Sequence, residues 1–119
     1  MLIDAFLGID RIAAAIVQRE LHAPITVDVE VLHALRKGWV AGRISAYAAE
    51  SVIAILAETE IVRHPVDRFL PRMWSIRHNV SSYDAGYVAL AESLNLPLLT
   101  RDRRLSQSSG HTARIEYID

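Results

Sequence analysis

Short extended segments alternate with helical segments along this chain, and that alternation restricts the folds open to it. Caps and apolar spacing predict helices over residues 13–20, 28–37, 45–58, 67–77 and 81–95. Extended segments are predicted over residues 22–28, 60–64, 98–100 and 113–118. Strands separated by helices form parallel sheets that are covered on both faces. The sequence therefore predicts an α/β fold with a mostly parallel central sheet flanked by helices.

Local signals fix the limits of several elements. Ser81 and Asp84 have the spacing of a capping box, and Asn95 followed by Pro97 ends the same helix. Pro24 and the β-branched residues after it favour an extended segment, with Asp28 as the cap of the next helix and Gly38 as its stop.

The composition is that of one globular domain spanning residues 1–119. The chain has 119 residues, 51% of them hydrophobic, and a net charge of −1, so bulk charge does not indicate a nucleic-acid partner. It contains no cysteine, which excludes disulfides, thiolate nucleophiles and cysteine-ligated zinc. The N-terminal segment lacks the basic start and uninterrupted apolar run of a signal peptide, and no stretch is long enough for a transmembrane helix. We therefore expect a cytoplasmic protein.

Acidic residues follow the predicted strands, at the sheet edge where α/β proteins bind ligands. Asp4 follows the first three residues, Glu30 lies in the first turn after the 22–28 segment, and Asp84 opens the helix after residues 77–80. Asp102 follows the 98–100 strand. Helical periodicity places Asp84 on the same stripe as Tyr87, which indicates a carboxylate aimed at the edge of the core.

Each acid also has an ordinary structural interpretation: Asp84 as a capping carboxylate, Glu30 as a solvated first-turn acid and Asp102 as a turn residue. Their common edge favours a joint role. Carboxylates within about 5 Å of each other repel unless a cation holds them together. Oxygen ligands suit Mg²⁺ or Mn²⁺, which would activate water and stabilise charge on a phosphate under attack.

Three arginines surround the last of these acids, in the segment Thr100-Arg-Asp-Arg-Arg104. One guanidinium group can bind two phosphate oxygens at once. Arg101, Arg103 and Arg104 therefore favour a nucleic-acid backbone over a small organic acid as the ligand. A solvated, charge-balancing loop is the alternative interpretation.

Three segments carry a resemblance to a known family. Val27-Asp-Val-Glu-Val-Leu-His-Ala-Leu35, Ser82-Tyr-Asp-Ala-Gly-Tyr-Val-Ala-Leu-Ala-Glu92 and Leu98-Leu-Thr-Arg-Asp102 resemble the downstream acidic motifs of PIN-domain ribonucleases, especially VapC-type toxins of toxin–antitoxin pairs. The resemblance covers roughly residues 20–119. It implies a three-layer PIN-like fold.

The resemblance also implies the site and its partners. Glu30, Asp84 and Asp102 would bind Mg²⁺ or Mn²⁺, and Thr100 would be a supporting hydroxyl beside the substrate. The implied activity is metal-dependent endoribonuclease cleavage of RNA. A cognate antitoxin that inserts a segment into the active-site groove and a second copy in a homodimer are the implied partners.

The N-terminus departs from the family pattern, because Asp4 is followed by Ala5 and Phe6 and not by an early Ser or Thr. Two interpretations stay open. Either Asp4 is the acid of the first motif, or the segment matches the residues just after that motif and the first strand is incomplete. A noncatalytic PIN-like interaction module is the corresponding functional alternative.

Other classes have less support. A receiver-like phosphoacceptor domain would need a lysine after its last strand, but Lys37 is the only lysine in the chain. The five histidines lack the close spacing of a metal site and are interpreted as surface or capping residues. No glycine-rich nucleotide-binding loop is present.

Overall fold

The central element of the fold is a five-stranded sheet with the order β3-β2-β1-β4-β5. A computed structural model describes residues 2–3 and 20–118. The strands are β1 (Leu2–Ile3), β2 (Leu21–Pro24), β3 (Ile61–His64), β4 (Leu98–Thr100) and β5 (Ile115–Tyr117). All four pairings among these strands are parallel, which confirms the predicted parallel sheet.

Helices connect the strands. They are α1 (Val27–Val40), α2 (Ala46–Glu58), a 3₁₀ turn (Asp67–Phe69), α3 (Leu70–Ser75), α4 (Ser82–Leu94) and α5 (Arg103–Ser106). The connection from β2 to β3 runs toward one edge of the sheet, whereas those from β3 to β4 and from β4 to β5 run toward the other. Because parallel crossovers are right-handed, opposite directions place their helices on opposite faces. This arrangement is the expected α/β fold with helices on both sides.

Helix α4 has the boundaries that its local sequence predicts. Ser81 caps it by accepting a hydrogen bond from the Asp84 N–H, with a donor–acceptor distance of 3.2 Å. Asn95 ends it in the left-handed conformation, with φ of 53°. The burial differs from the predicted single apolar stripe, since every residue from Ala85 to Ala91 is buried. The small residues of this helix allow close packing on all sides, with β2, β4 and α3 among its neighbours.

Several predicted boundaries were wrong for reasons of tertiary packing. The segment predicted as extended to residue 28 leaves the sheet at Pro24, and Thr26, not Asp28, is the N-cap of α1. Gly38 lies inside α1, where it is buried and an added Cβ would be 3.2 Å from the Ile44 side chain. The local sequence predicts that Gly38 ends the helix, but in the structure Gly38 continues the helix and allows Ile44 to pack against it.

Two other segments differ from their predicted form. Residues 77–80 form turns and a bend, not a strand, so Asp84 follows a loop. The predicted helix over 67–77 is divided into the 3₁₀ turn and α3, which is six residues long. Pro71 lies at the start of α3, where its missing N–H costs no hydrogen bond.

The N-terminal predictions fall mostly outside the residues that the structure describes. Leu2–Ile3 pairs with both β2 and β4 and so occupies the centre of the sheet. Asp4 and residues 13–19 of the first predicted helix lie outside the described residues, and Glu20 lies in no helix or strand. The role of Asp4 and the one-domain organisation of residues 1–119 stay predictions.

Candidate active site

The candidate site lies beyond the carboxyl ends of β2 and β4, which parallel pairing brings to the same edge of the sheet. A cavity of about 350 Å³ opens there. We call it the acid cavity; it is lined by Val29, Glu30, His33, Ser81, Tyr83, Asp84 and Asp102. The structure thus brings Glu30, Asp84 and Asp102 together, although they come from the starts of three different helices.

Glu30 is the most buried acid of the three, with 6% of its surface exposed. The Tyr87 hydroxyl donates a hydrogen bond to Oε2 at 2.7 Å, and the Thr26 hydroxyl donates one to Oε1 at 3.3 Å. A buried carboxylate is expensive unless donors satisfy it, so these contacts fix the side chain at the cavity wall. Burial and these bonds contradict the interpretation of Glu30 as a solvated first-turn acid.

Asp84 lies in the first turn of α4 and is partly exposed. Its backbone N–H is bonded to the Ser81 hydroxyl, which also lines the acid cavity. Ser81 therefore stabilises the start of the helix and places Asp84 at the cavity wall.

Asp102 combines a structural contact with a position in the cavity. Its Oδ1 caps α5 by accepting hydrogen bonds from the N–H groups of Arg104 at 2.9 Å and Leu105 at 3.4 Å. Thr100 is fully buried, and its Oγ1 accepts a hydrogen bond from the Asp102 N–H at 2.9 Å. Both capping bonds use Oδ1, and no residue within 20–118 bonds to Oδ2. Thr100 and the cap thus hold this carboxylate in a single orientation.

The three arginines near Asp102 are exposed and do not line the acid cavity. The Arg103 guanidinium lies 4.8 Å from the centre of the Tyr117 ring, and its Nη2 is 3.4 Å from the Tyr117 hydroxyl. Arg103 therefore packs toward β5. A role for Arg101, Arg103 or Arg104 at the substrate stays a prediction.

Sequence reasoning missed several residues of this site. Tyr87 was placed on the stripe of Asp84, but its bond to Glu30, 57 positions away, has no local signal. His33 was interpreted as a surface or capping residue, yet it lines the acid cavity; its spacing of one helical turn from Glu30 was the available signal. Ser81 was identified only as a cap.

A second pairing without a sequence signal lies along β2 and β3. His22 Nδ1 is 2.9 Å from His64 Nε2, and Glu20 lies 3.1 Å from the other nitrogen of His22. Burial and the neighbouring His22 lower the pKa of His64 below its ordinary value. Parallel register brings these rings together although they are distant in the chain.

The acid cavity offers the donor chemistry of a hard divalent ion, because three carboxylates line it. Within residues 2–3 and 20–118, however, no three acidic or histidine side chains approach closely enough to hold a metal ion together. The donor set therefore fits Mg²⁺ or Mn²⁺ in kind, although its members do not converge as a complete coordination shell.

Comparison with known proteins identifies the fold and its type. Residues 4–110 match the model of the PIN domain. The chain belongs to the PIN-domain family. Ribonuclease VapC12 of Mycobacterium tuberculosis is 40% identical over 111 residues, which cover 89% of this chain and 86% of the relative. Ribonuclease VapC1 of the same organism is 39% identical over 123 residues, covering 98% and 91%. This PIN domain is therefore of the VapC ribonuclease type, as its three acidic segments predict.

The family assignment also decides between the predicted classes. A receiver-like phosphoacceptor is set aside, because the matched family covers most of the chain.

Within residues 2–3 and 20–118, no helix is long and apolar enough to cross a lipid bilayer.

Proposed function

We propose that this chain is a metal-dependent endoribonuclease toxin that cleaves RNA phosphodiester bonds. The observation that carries the proposal is the acid cavity, which Glu30, Asp84 and Asp102 line together at the carboxyl edge of a parallel sheet. The VapC-type relatives, which are named ribonucleases, support RNA as the substrate. A metal-assisted hydrolase needs carboxylates that are held in place before the substrate arrives.

Glu30, Asp84 and Asp102 would hold Mg²⁺ or Mn²⁺, with Asp4 as a further candidate outside the described residues. The ion, when bound, would supply activated water and neutralise charge on the phosphate. Tyr87 and Thr26 keep the Glu30 carboxylate oriented toward the cavity, so that little reorganisation is needed.

The residues around Asp102 would position the substrate. Thr100 holds the Asp102 backbone, and the cap on α5 holds the carboxylate itself. Arg101 and Arg104 are exposed beside this turn, so their guanidinium groups are available to phosphate oxygens of the backbone. Arg103 would contribute through its charge, since its side chain packs on Tyr117.

An antitoxin and a second copy of the chain are the proposed partners, in the cytoplasm. Helix α2 has no buried residue, although helical spacing places the apolar residues Val52, Ile53, Leu56 and Ala57 on one face. A groove of about 250 Å³ lies between α1 and α2, with Leu32, Leu35 and Ile53 in its walls. Apolar surface left exposed on a small domain indicates a partner that covers it. The groove and the exposed α2 face support association with a partner protein, whereas the antitoxin segment itself is expected in the active-site groove.

The decisive experiment is cleavage of a mixed structured RNA by the purified chain in Mg²⁺ or Mn²⁺ and in EDTA. We expect cleavage only with metal, and loss of cleavage in Asp84→Asn with the fold retained by circular dichroism. Asp28→Asn is the matched control, because Asp28 lies in the first turn of the same helix as Glu30 but pairs with Arg63. We expect that control to cleave like the wild type.

Three outcomes would contradict parts of the proposal. A folded wild-type chain that leaves RNA intact would favour the noncatalytic interaction module. Equal cleavage in EDTA would reject the metal. Unfolding of Asp84→Asn would indicate that Asp84 serves the helix start and not the reaction.

A further inference from the structure

A second cavity adjoins the acid cavity and has no part in holding the acids. Its volume is about 430 Å³, and its walls include Met73, Trp74, Arg77 and Ser81. Ser81 lines both cavities, so the two adjoin at this residue. A strand with a phosphate at the acids that continues past Ser81 would enter the second cavity, which we call the Trp74 cavity.

Trp74 gives this cavity an aromatic wall that faces solvent. The residue is 68% exposed, although indole is among the side chains that gain most from burial. The Arg77 guanidinium lies over its ring, 4.6 Å from the ring centre, and Arg77 Nη1 donates a hydrogen bond to the Trp74 carbonyl oxygen at 3.1 Å. These contacts hold the guanidinium stacked on one face of the ring.

The charge of this surface is positive. Among the described residues, no carboxylate pairs with Arg77, whereas Arg72 on α3 is paired with Glu92. An arginine without an acidic partner beside an exposed indole is complementary to a nucleotide, whose base stacks on the ring and whose phosphate pairs with the cation. Tyr83 is 65% exposed in the wall of the acid cavity, so exposed aromatic rings line both cavities.

We propose that the Trp74 cavity binds an unpaired nucleobase next to the scissile phosphate, by stacking on Trp74 with Arg77 at the adjoining phosphate. The inference rests on the proposed function, because it assigns the cavity to the same RNA substrate. It makes the enzyme selective for single-stranded segments, since a base held in a duplex stack has no free face for the indole.

The test measures binding of a short unstructured oligoribonucleotide in EDTA, where no cleavage is expected. Trp74→Ala should weaken binding by about 5- to 150-fold, the range measured for loss of one aromatic–base stack, and Trp74→Phe should retain most of it. Tyr47→Ala is the control, because Tyr47 is an aromatic residue on α2 that is 80% exposed and lines neither cavity. It should bind like the wild type.

Three further measurements separate stacking from charge. An abasic strand of the same length should bind Trp74→Ala and the wild type equally, because it offers nothing to stack. In a Trp39→Phe background Trp74 is the sole tryptophan, and RNA should quench its fluorescence. Arg77→Gln should lower the slope of log binding constant against log salt concentration by about one phosphate contact.

The outcomes distinguish this inference from the proposed function. A wild-type chain that cleaves RNA with metal while Trp74→Ala binds like Tyr47→Ala would overturn the inference alone. Binding that depends on Trp74 in a chain that does not cleave would overturn the proposed function alone. If Trp74→Ala lowers the molecular mass measured by light scattering and leaves RNA binding unchanged, a second copy covers this surface and the inference is wrong.

Discussion

Replacing Glu92 with Gln tests how the structure fastens α4, the helix that carries Asp84. The Glu92 carboxylate accepts two hydrogen bonds from the Arg72 guanidinium, at 2.9 and 2.8 Å. It also accepts the N–H and hydroxyl of Thr112, at 2.9 and 3.0 Å. One side chain of α4 thereby links α3 to the loop that precedes β5.

The expected loss of stability in Glu92→Gln follows from the pKa of this carboxyl group. The hydrogen bonds from Arg72, followed by those from Thr112, lower the pKa of Glu92 from 4.5 to about 2 against the opposing effect of burial. Lowering the pKa from 4.5 in the unfolded chain to about 2 in the folded chain corresponds to about 3 kcal/mol of stability near neutral pH. Arg72 is 42% exposed and screened by solvent, so we expect about 2 kcal/mol to be lost in Glu92→Gln.

The sign of the pH dependence is fixed by the lowered pKa. The contribution is fully present above the unfolded value of 4.5 and is lost as the pH falls toward about 2. Urea denaturation of the wild type and of Glu92→Gln should therefore give a stability difference that is largest near neutral pH. That difference should shrink by about half near pH 3.

Asp28→Asn is the matched control for this measurement. Asp28 forms a bidentate pair with Arg63, at 2.7 and 2.8 Å, but its side chain is 42% exposed, and no other donor within residues 20–118 bonds to its carboxylate. A surface pair of this kind contributes about 0–1 kcal/mol. Equal stability of Glu92→Gln and wild type at neutral pH, or a difference that persists unchanged in acid, would refute the reasoning.

Two further changes test the acid cavity itself. Tyr87→Phe removes the buried donor to Glu30 Oε2 and should lower RNA cleavage. It should also lower the free energy of unfolding by about 1.5–3 kcal/mol. Unchanged cleavage would show that this bond does not position Glu30. Asp102→Asn keeps an oxygen able to cap α5 and should retain wild-type stability, whereas Asp102→Ala should lower the free energy of unfolding by about 1 kcal/mol. Both variants should lose cleavage. Cleavage by Asp102→Asn would confine Asp102 to a capping role.

Much of the site could be predicted because its acids follow locally readable elements. The cap Ser81 and the left-handed Asn95 define α4, and they place Asp84 in its first turn. Asp102 follows a short apolar strand whose signal is equally local. Once the sheet is taken as parallel, Glu30 and Asp102, which follow β2 and β4, must share an edge, whereas Asp84 follows a loop and reaches that edge only through tertiary packing.

The features that could not be predicted depend on contacts between distant parts of the chain. Gly38 resembles a helix stop until Ile44 packs against it. Helical spacing with Leu70 and Met73 predicts a core position for Trp74, yet its exposed ring lies in a cavity wall beside Arg77. Helical periodicity gives the side of a helix, but only neighbouring elements decide whether that side is covered.

By itself, the sequence determined the order of elements, the parallel sheet and the family, because caps, β-branched runs and acids after strands act within a few residues of each other. The tertiary structure alone decided which donors hold the acids, since Tyr87 meets Glu30 and Arg72 meets Glu92 only when helices pack. It also decided that the acid cavity and the Trp74 cavity adjoin at Ser81. The physical reason is that a hydrogen bond or a cavity wall depends on distance in space, which local patterns of residues do not encode.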